Sequence, residues 1–161
     1  MQRYYKTAIA AVWFVNEVWH PYFCSMENTS NEQEPKRVTG IGGIFFKSEN
    51  PAALNAWYKE HLGMNTTDYG TTFTWRKEEK PEEKGYTLWT PFKKETSYFA
   101  PSTKEFMVNL RVENIEWLVG KLKEEGVTVL DEIENSEYGK FVHILDHEGN
   151  KVELWEDVDR V

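Results

Sequence analysis

The sequence predicts an α+β fold in which two β-α-β-β-β modules pair into one mixed sheet. The segment 49–63 returns in degraded form at 113–126, where Gly126 matches Gly63. In both copies a helix-like stretch follows one strand-like run and precedes others. Internal repetition constrains a fold more strongly than composition does, so we expect one small unit to be used twice.

Module one is predicted to occupy residues 38–93 and to begin with a strand. The run VTGIGGIFFKS is apolar, β-branched and rich in glycine, which is typical of a strand with close backbone neighbours. Asn50 can cap the helix that follows, Pro51 suits its first turn, and Gly63 can end it in the left-handed conformation. A stripe at helical spacing is expected to pack on the sheet; it consists of Leu54, Trp57, Tyr58, His61 and Leu62.

Three strand-like runs, MNTTDY, TTFTWRK and YTLWTPF, complete module one, with the charged run 76–85 at a hairpin tip. Module two, residues 104–156, follows the connector KKETSYFAPSTKE and repeats the order. FMVNLRV predicts a strand, Asn114 can cap a helix that ends at Gly126, and VTVLDEI, KFVHILD and KVELWE predict three more strands. One face of this helix is apolar and consists of Ile115, Leu118, Val119 and Leu122.

The last hairpin has a register that its turn predicts. The sequence DHEGN suits a type I turn followed by a left-handed Gly149, which places His143 opposite Glu153. One face of the hairpin is then aliphatic and belongs under the helices. A histidine across from a carboxylate on the other face could form the polar centre of a ligand pocket, or only a cross-strand hydrogen bond at the surface. That face carries Phe141, His143, Leu145, Lys151, Glu153 and Trp155.

The bulk properties favour one globular domain, residues 38–161, preceded by an N-terminal extension, residues 1–37. Of the 161 residues, 27 are acidic and 19 basic, a net charge of −8 that argues against nucleic acid or membrane surfaces as partners. The lone Cys24 cannot form an internal disulfide, so a cytoplasmic location is expected. The chain start is similar to a secretory signal but is interrupted early by polar residues, so Met26 as the biological start and a real appended helix both stay open.

Three motifs together resemble the vicinal oxygen chelate superfamily, which includes glyoxalase I, bleomycin-resistance proteins and extradiol dioxygenases. They are NPAALNAWYKEHLGM after the first strand, LKEEGV at the end of the second helix, and FVHILDHEGNKVELWE at the last hairpin. The resemblance implies a cup-shaped sheet around a cleft. It also implies that two chains could pair as a homodimer.

In metal-dependent members of this superfamily, four inward positions bind a divalent ion. By the matching motifs, these positions fall on Gly43, Thr87, Met107 and Glu153. Glycine has no side chain, threonine is a poor ligand, and the methionine sulfur is too soft for such ions. His143 could replace one missing ligand, but two groups on adjacent strands would leave an ion mostly bound to water. No metal or other cofactor is therefore expected.

The expected function is metal-free binding of a flat, apolar or aromatic small molecule, as in bleomycin-resistance proteins. Alternatives that stay open are a metal-dependent lyase or isomerase of glyoxalase type, a metal-free enzyme with Glu153 as general base and His143 orienting it, and a pure interaction module without a cavity. The same motif match places Trp89 in the position of Trp155. The cleft is therefore expected to be lined by Thr87, Trp89, Met107, Phe141, His143, Glu153 and Trp155.

Overall fold

The structure of the protein, a computed structural model, describes residues 37–158. The predictions on His20, Cys24, Met26 and the rest of residues 1–36 lie outside the described residues. No helix within 37–158 is both long enough and apolar enough to cross a membrane. The described elements are β1 Gly40–Ser48, α1 Pro51–Leu62, β2 Thr71–Arg76, β3 Lys84–Lys93, β4 Phe106–Arg111, α2 Ile115–Glu124, β5 Thr128–Val129, β6 Glu134–Ser136, β7 Gly139–Leu145 and β8 Lys151–Asp157.

These strands form one mixed sheet in the order β2-β3-β1-β4-β8-β7-β5, with β6 paired to β7. The pairs β1–β3 and β4–β8 are parallel, and the central pair β1–β4 is antiparallel and joins the two modules. A curved α+β sheet built from two related halves confirms the predicted fold class.

Helix α1 begins and ends where its capping residues predict. The Asn50 side chain accepts a hydrogen bond from the Ala53 N–H at 3.0 Å, and Gly63 adopts the left-handed conformation at φ 66°. The predicted packing of its stripe is wrong in part, because Trp57 and Leu62 are 49% and 61% exposed. The side chain of His61, on the same stripe, is also exposed.

The predicted strand MNTTDY does not form. Residues 64–70 make a loop with one isolated bridge between Thr67 and Gly70. Side-chain bonds hold the loop instead of a strand ladder. Asn55 Nδ2 of α1 donates to the Thr67 carbonyl at 2.9 Å, Thr66 Oγ1 donates to the Asn55 carbonyl at 2.8 Å, and Thr71 Oγ1 of β2 donates to the Asn65 carbonyl at 2.8 Å. The buried Asn55 thus binds the carbonyl of Thr67, a backbone group that a strand ladder would otherwise have paired.

The run VTVLDEI forms a strand only over Thr128–Val129, which is shorter than predicted. The strand ends because the carboxylate of Asp131 accepts a hydrogen bond from the His143 N–H at 2.8 Å, where a ladder carbonyl would otherwise lie. The short β6, Glu134–Ser136, follows and was not predicted.

The last hairpin has the predicted register. His143 pairs with Glu153 and Phe141 with Trp155, and Gly149 is left-handed at φ 76°. Its aliphatic face packs against α2, in a core of Val112, Ile115, Leu118, Val119, Val142 and Leu154 with Ile144 and Val152 beside it. The expectation that this face lies under a helix is confirmed.

A second core lies on the opposite side of the sheet, which we call the inner face. The inner face carries the side chains of Met107, Asn109 and Glu153. Its apolar centre consists of Phe45, Met107 and Phe99, and Phe99 comes from the connector between the modules and is fully buried. The connector therefore closes over the inner face.

Candidate functional site

Glu153 of β8 lies on the inner face and is only 2% exposed. Asn109 Nδ2 donates to its Oε1 at 2.6 Å, and the Nε2 of His143 lies 3.0 Å from its Oε2. The phenol of Tyr98 donates to the same Oε2. Both carboxylate oxygens are therefore engaged by side chains of three different elements.

His143 connects this buried carboxylate to a second one. Its Nδ1 lies 2.6 Å from Oδ2 of Asp131, whose other oxygen accepts from the His143 backbone. With a carboxylate at each ring nitrogen, the imidazole is best satisfied when both nitrogens carry protons. The Asp131 side chain is 44% exposed, so the chain Asp131–His143–Glu153 runs from solvent to the buried centre.

The pKa values of these groups follow from burial and hydrogen bonding. Burial raises the pKa of Glu153, but hydrogen bonds from His143, Tyr98 and Asn109 outweigh it and hold that pKa below 4.5. Burial lowers the pKa of His143, but its bonds to Glu153 and Asp131 outweigh it and hold that pKa above 6.5. Both shifts favour the charged forms of the pair, in which each group neutralises the other.

Tyr98 covers Glu153 from the connector. Its ring stacks on Phe92 with centroids 5.5 Å apart and an interplanar angle of 6°, and it meets the His143 ring edge-on at 5.4 Å. The ammonium of Lys151 lies 4.9 Å from the Tyr98 centroid and donates to the Tyr98 carbonyl at 2.7 Å. Tyr98 is itself 39% exposed, so it separates Glu153 from solvent.

Next to this centre, Arg111 crosses from module two to module one. Its guanidinium lies 4.7 Å from the Tyr86 centroid and 4.3 Å from the Trp155 centroid, and Nη1 donates to Asp157 at 3.0 Å. The two rings also contact each other edge to face, with centroids 5.3 Å apart, and a cation close to both gains from both ring quadrupoles. The cleft between the modules is therefore filled by protein side chains at this point.

The metal positions that the resemblance implied do not fit a divalent ion. Gly43 offers no side chain, and Met107 is 1% exposed within the apolar core. The Thr87 hydroxyl donates to the Ile41 carbonyl at 3.0 Å and accepts from Trp75 Nε1 at 3.1 Å. Within residues 37–158, no group of three or more His, Cys, Asp or Glu side chains is arranged to hold a metal.

The prediction that Trp89 faces the cleft is wrong. Its ring packs against Phe46 at 4.8 Å and against Tyr58 of α1 at 5.8 Å, which lie on the helix side of the sheet. The cause is strand alternation. Leu88, the residue directly before Trp89 in β3, packs in the inner-face core, so the Trp89 side chain must point to the opposite face of the sheet.

Phe141 and Trp155 do lie together on the inner face. Their rings stack with centroids 5.8 Å apart and an interplanar angle of 8°. Trp155 is 2% exposed, and its Nε1 donates to the Tyr138 carbonyl at 2.8 Å. Together with the hydrogen-bonded His143 and Glu153, these residues form a packed wall and not an open cleft.

A separate recess of about 340 Å³ opens beside β2 and β3, three strands away from Glu153. None of the predicted site residues lines it. Its lining residues are Asn65, Thr67, Tyr69, Gly70, Thr71, Thr72, Leu88 and Thr90.

Tyr98, Asn109 and Asp131 are the site residues that sequence reasoning missed. Asn109 had a detectable signal, because it is polar at an alternate position of the otherwise apolar run FMVNLRV. Tyr98 and Asp131 lie in the connector and beyond a strand end, where no periodicity indicates which way a side chain points.

The family profile of the Glyoxalase/Bleomycin resistance protein/Dioxygenase superfamily matches residues 40–154. The fold is similar to methylmalonyl-CoA epimerase from Mycobacterium tuberculosis, with TM-score 0.54, 17% identity, and coverage of 78% of this chain and 92% of that one. A variant of methylmalonyl-CoA epimerase from Streptomyces coelicolor, solved in complex with 2-nitronate-propionyl-CoA, gives TM-score 0.57, 13% identity, and coverage of 75% and 99%. No curated protein matches the chain significantly in sequence. At these identities the structural likeness establishes the fold, and the profile match extends over most of the chain. The chain belongs to the Glyoxalase/Bleomycin resistance protein/Dioxygenase superfamily.

Proposed function

We propose that this protein is a metal-free small-molecule-binding protein that holds a flat ligand against the inner face of its sheet, as bleomycin-resistance proteins of the superfamily do. The observation that carries the proposal is the state of Glu153. It is the one carboxylate at the four implied metal positions, and donors from Tyr98, Asn109 and His143 engage both of its oxygens. A divalent ion would have to break these bonds to bind.

The lowered pKa of Glu153 supports binding over general-base catalysis. A general base works best with a pKa near the working pH, whereas hydrogen bonds from His143, Tyr98 and Asn109 outweigh the effect of burial and keep this carboxylate weakly basic. Flat apolar rings lie on the same face of the sheet: Phe92, on which the Tyr98 ring stacks, and the stacked pair Phe141 and Trp155.

A thermal-shift screen of small molecules, run with EDTA and separately with Ni²⁺, Zn²⁺ or Mn²⁺, tests the proposal. A ligand that binds the folded state raises the midpoint of unfolding by mass action. We expect stabilising compounds to act equally in EDTA. Elemental analysis that finds a stoichiometric divalent ion after dialysis would contradict the metal-free proposal.

One observation favours a second candidate, a metal-free lyase or isomerase. The chain Asp131–His143–Glu153 joins a buried carboxylate to solvent and could carry a proton between them. If Glu153 is the base, Glu153→Gln should abolish turnover while ligand binding stays largely intact. Unchanged turnover would remove this candidate.

The pairing of two chains into a homodimer and a cytoplasmic location remain predictions. Light scattering of the purified protein would measure the mass of the particle in solution and so decide the first of them.

A further inference from the structure

Tyr98 differs from the other groups around Glu153 because no strand carries it. His143, Asn109 and Glu153 lie on β7, β4 and β8, where sheet hydrogen bonds fix their backbones. Tyr98 lies in the connector between β3 and β4 and is 39% exposed, although its hydroxyl ends on a carboxylate that is 2% exposed. Its side chain enters the site from outside the sheet.

The surroundings of the Tyr98 ring, which we call the Tyr98 site, match each chemical feature of a phenol. Phe92 offers a parallel face at 5.5 Å, and His143 lies at the ring edge. The ammonium of Lys151 lies 4.9 Å from the ring centre, where the quadrupole attracts a cation. Glu153 accepts the hydroxyl proton in a hydrogen bond.

We infer that Tyr98 occupies this site as an internal ligand, and that the external ligand of the same site is a phenol that displaces it. The inference deepens the proposed function and rests on it, because it names the class of ligand. A hydrocarbon ring would remove one of the two side-chain donors of Glu153 Oε2 and leave His143 alone there, which is costly for a buried charge. A ligand carboxylate would meet Glu153 as a like charge.

Tyr98 competes with such a ligand from within the same chain. A tethered group has a high effective concentration at its own site, so it reduces the apparent affinity of a free molecule of the same chemistry. We therefore expect the wild-type protein to bind a simple phenol weakly, and removal of the Tyr98 side chain to strengthen that binding.

The test compares p-cresol, which is the tyrosine side chain itself, with toluene, which lacks only the hydroxyl. Isothermal titration of the full-length protein should give Tyr98→Ala an affinity for p-cresol about tenfold or more above that of the wild type. The same variant should prefer p-cresol to toluene by about tenfold, since a hydrogen bond to a charged acceptor discriminates by at least that factor. Phe99→Ala is the matched control. It opens space in the apolar core from the same connector, and it should not prefer p-cresol.

Two further variants keep the inference testable if Tyr98→Ala folds poorly. Tyr98→Phe keeps the ring and loses the hydroxyl, so the phenylalanine competes less well for the site. The apparent affinity of Tyr98→Phe for p-cresol should therefore be about fivefold higher than that of the wild type. Adding Glu153→Gln to Tyr98→Ala should reduce the preference for p-cresol, because a neutral amide is a weaker acceptor than a carboxylate. Equal binding of p-cresol and toluene by Tyr98→Ala, or no gain in p-cresol affinity in Tyr98→Phe, would overturn the inference. Neither result would touch the proposed function, which fails separately if no compound in the thermal-shift screen stabilises the wild type.

Discussion

At the scale of single residues, the centre of the molecule is a charged pair in a place where charges are usually avoided. Glu153 is 2% exposed and His143 is 7% exposed. Removing two such groups from water is costly, and only their mutual attraction and further hydrogen bonds compensate. Asn109, Asp131 and Tyr98 supply those bonds, so the five side chains act as one unit.

The first prediction concerns the pH dependence of stability. The pKa of His143 is raised, so its contribution is complete below pH 6.5 and is lost as the pH rises through the folded-state value. The pKa of Glu153 is lowered, so its contribution is complete above pH 4.5 and is lost as the pH falls through the folded-state value. Both contributions are complete together only between these two limits.

Urea denaturation of the wild type and of Glu153→Gln across the pH range measures this effect. At any pH between 4.5 and 6.5, we expect the unfolding free energy of the variant to be about 3 kcal/mol lower than that of the wild type, because the variant leaves the charge of His143 partly uncompensated. The difference should shrink on either side of that window. A constant difference from acid to alkaline pH would show that the pair is not charged in the folded protein.

The second prediction concerns Asp131. Asp131→Asn removes one of the two carboxylates that raise the pKa of His143, so this pKa should fall relative to the wild type. NMR titration of the His143 ring protons measures it directly. Asp68→Asn, on the exposed loop after α1, is the matched control with the same loss of charge. An equal response of His143 in both variants would mean that the effect comes from net charge and not from contact.

The pairing of His143 with Glu153 could be predicted from the sequence, whereas most of their partners could not. The pairing follows from a local turn, DHEGN, whose geometry fixes the register of the two strands that it joins. Tyr98 reaches the site from 55 positions away along the chain, by way of a connector with no periodic pattern. Contacts of that kind depend on the tertiary path of the chain and leave no local signal.

At the scale of elements, the backbone of β1 lies in close contact with side chains of β4 and β8 at Gly42. A Cβ at Gly42 would lie 1.9 Å from Asn109 Oδ1 and 2.8 Å from Trp155 Cε3. The sequence correctly predicted a strand with close neighbours from the run GIGG. It failed for the strand MNTTDY, because β-propensity is weak against specific bonds such as those that Asn55 makes to the loop.

The third prediction is that Gly42→Ala destabilises the protein by about 3 kcal/mol, because Asn109 would have to leave its bond to Glu153 to make room. Gly120→Ala is the control. A Cβ at Gly120 meets nothing within 4 Å, and in the interior of α2 the change should add about 0.5–1 kcal/mol. Denaturant midpoints of the two variants should therefore move in opposite directions, and a shift of both in one direction would contradict the account.

At the scale of the whole molecule, the modules are joined by the β1–β4 ladder and by side-chain contacts of Arg111 and Tyr86. The guanidinium of Arg111 reaches the carbonyl of Tyr86 in β3 and the carboxylate of Asp157 in β8, so one side chain ties both halves across the centre of the sheet. Its distances of 4.7 Å and 4.3 Å to the Tyr86 and Trp155 rings bring it into contact with one aromatic group from each module. Loss of Arg111 should therefore weaken the joint and not one module alone.

The fourth prediction tests this joint with Arg111→Met, which keeps an apolar stem and removes the charge. We expect a loss of about 3 kcal/mol, from the cation–π contacts with Tyr86, Trp155 and Trp75 and the partly buried ion pair with Asp157. Lys140→Met is the matched control, because Lys140 forms ion pairs only at the more exposed edge of module two, and its loss should be much smaller.

Urea unfolding followed by far-ultraviolet circular dichroism and by tryptophan fluorescence measures both variants. Because the β1–β4 ladder remains, the two signals should still change together in one transition at a lower midpoint. Equal losses in the two variants would show that Arg111 contributes no more to stability than an exposed lysine does. Separate transitions of the two signals would show that Arg111, and not the β1–β4 ladder, makes the two modules unfold together.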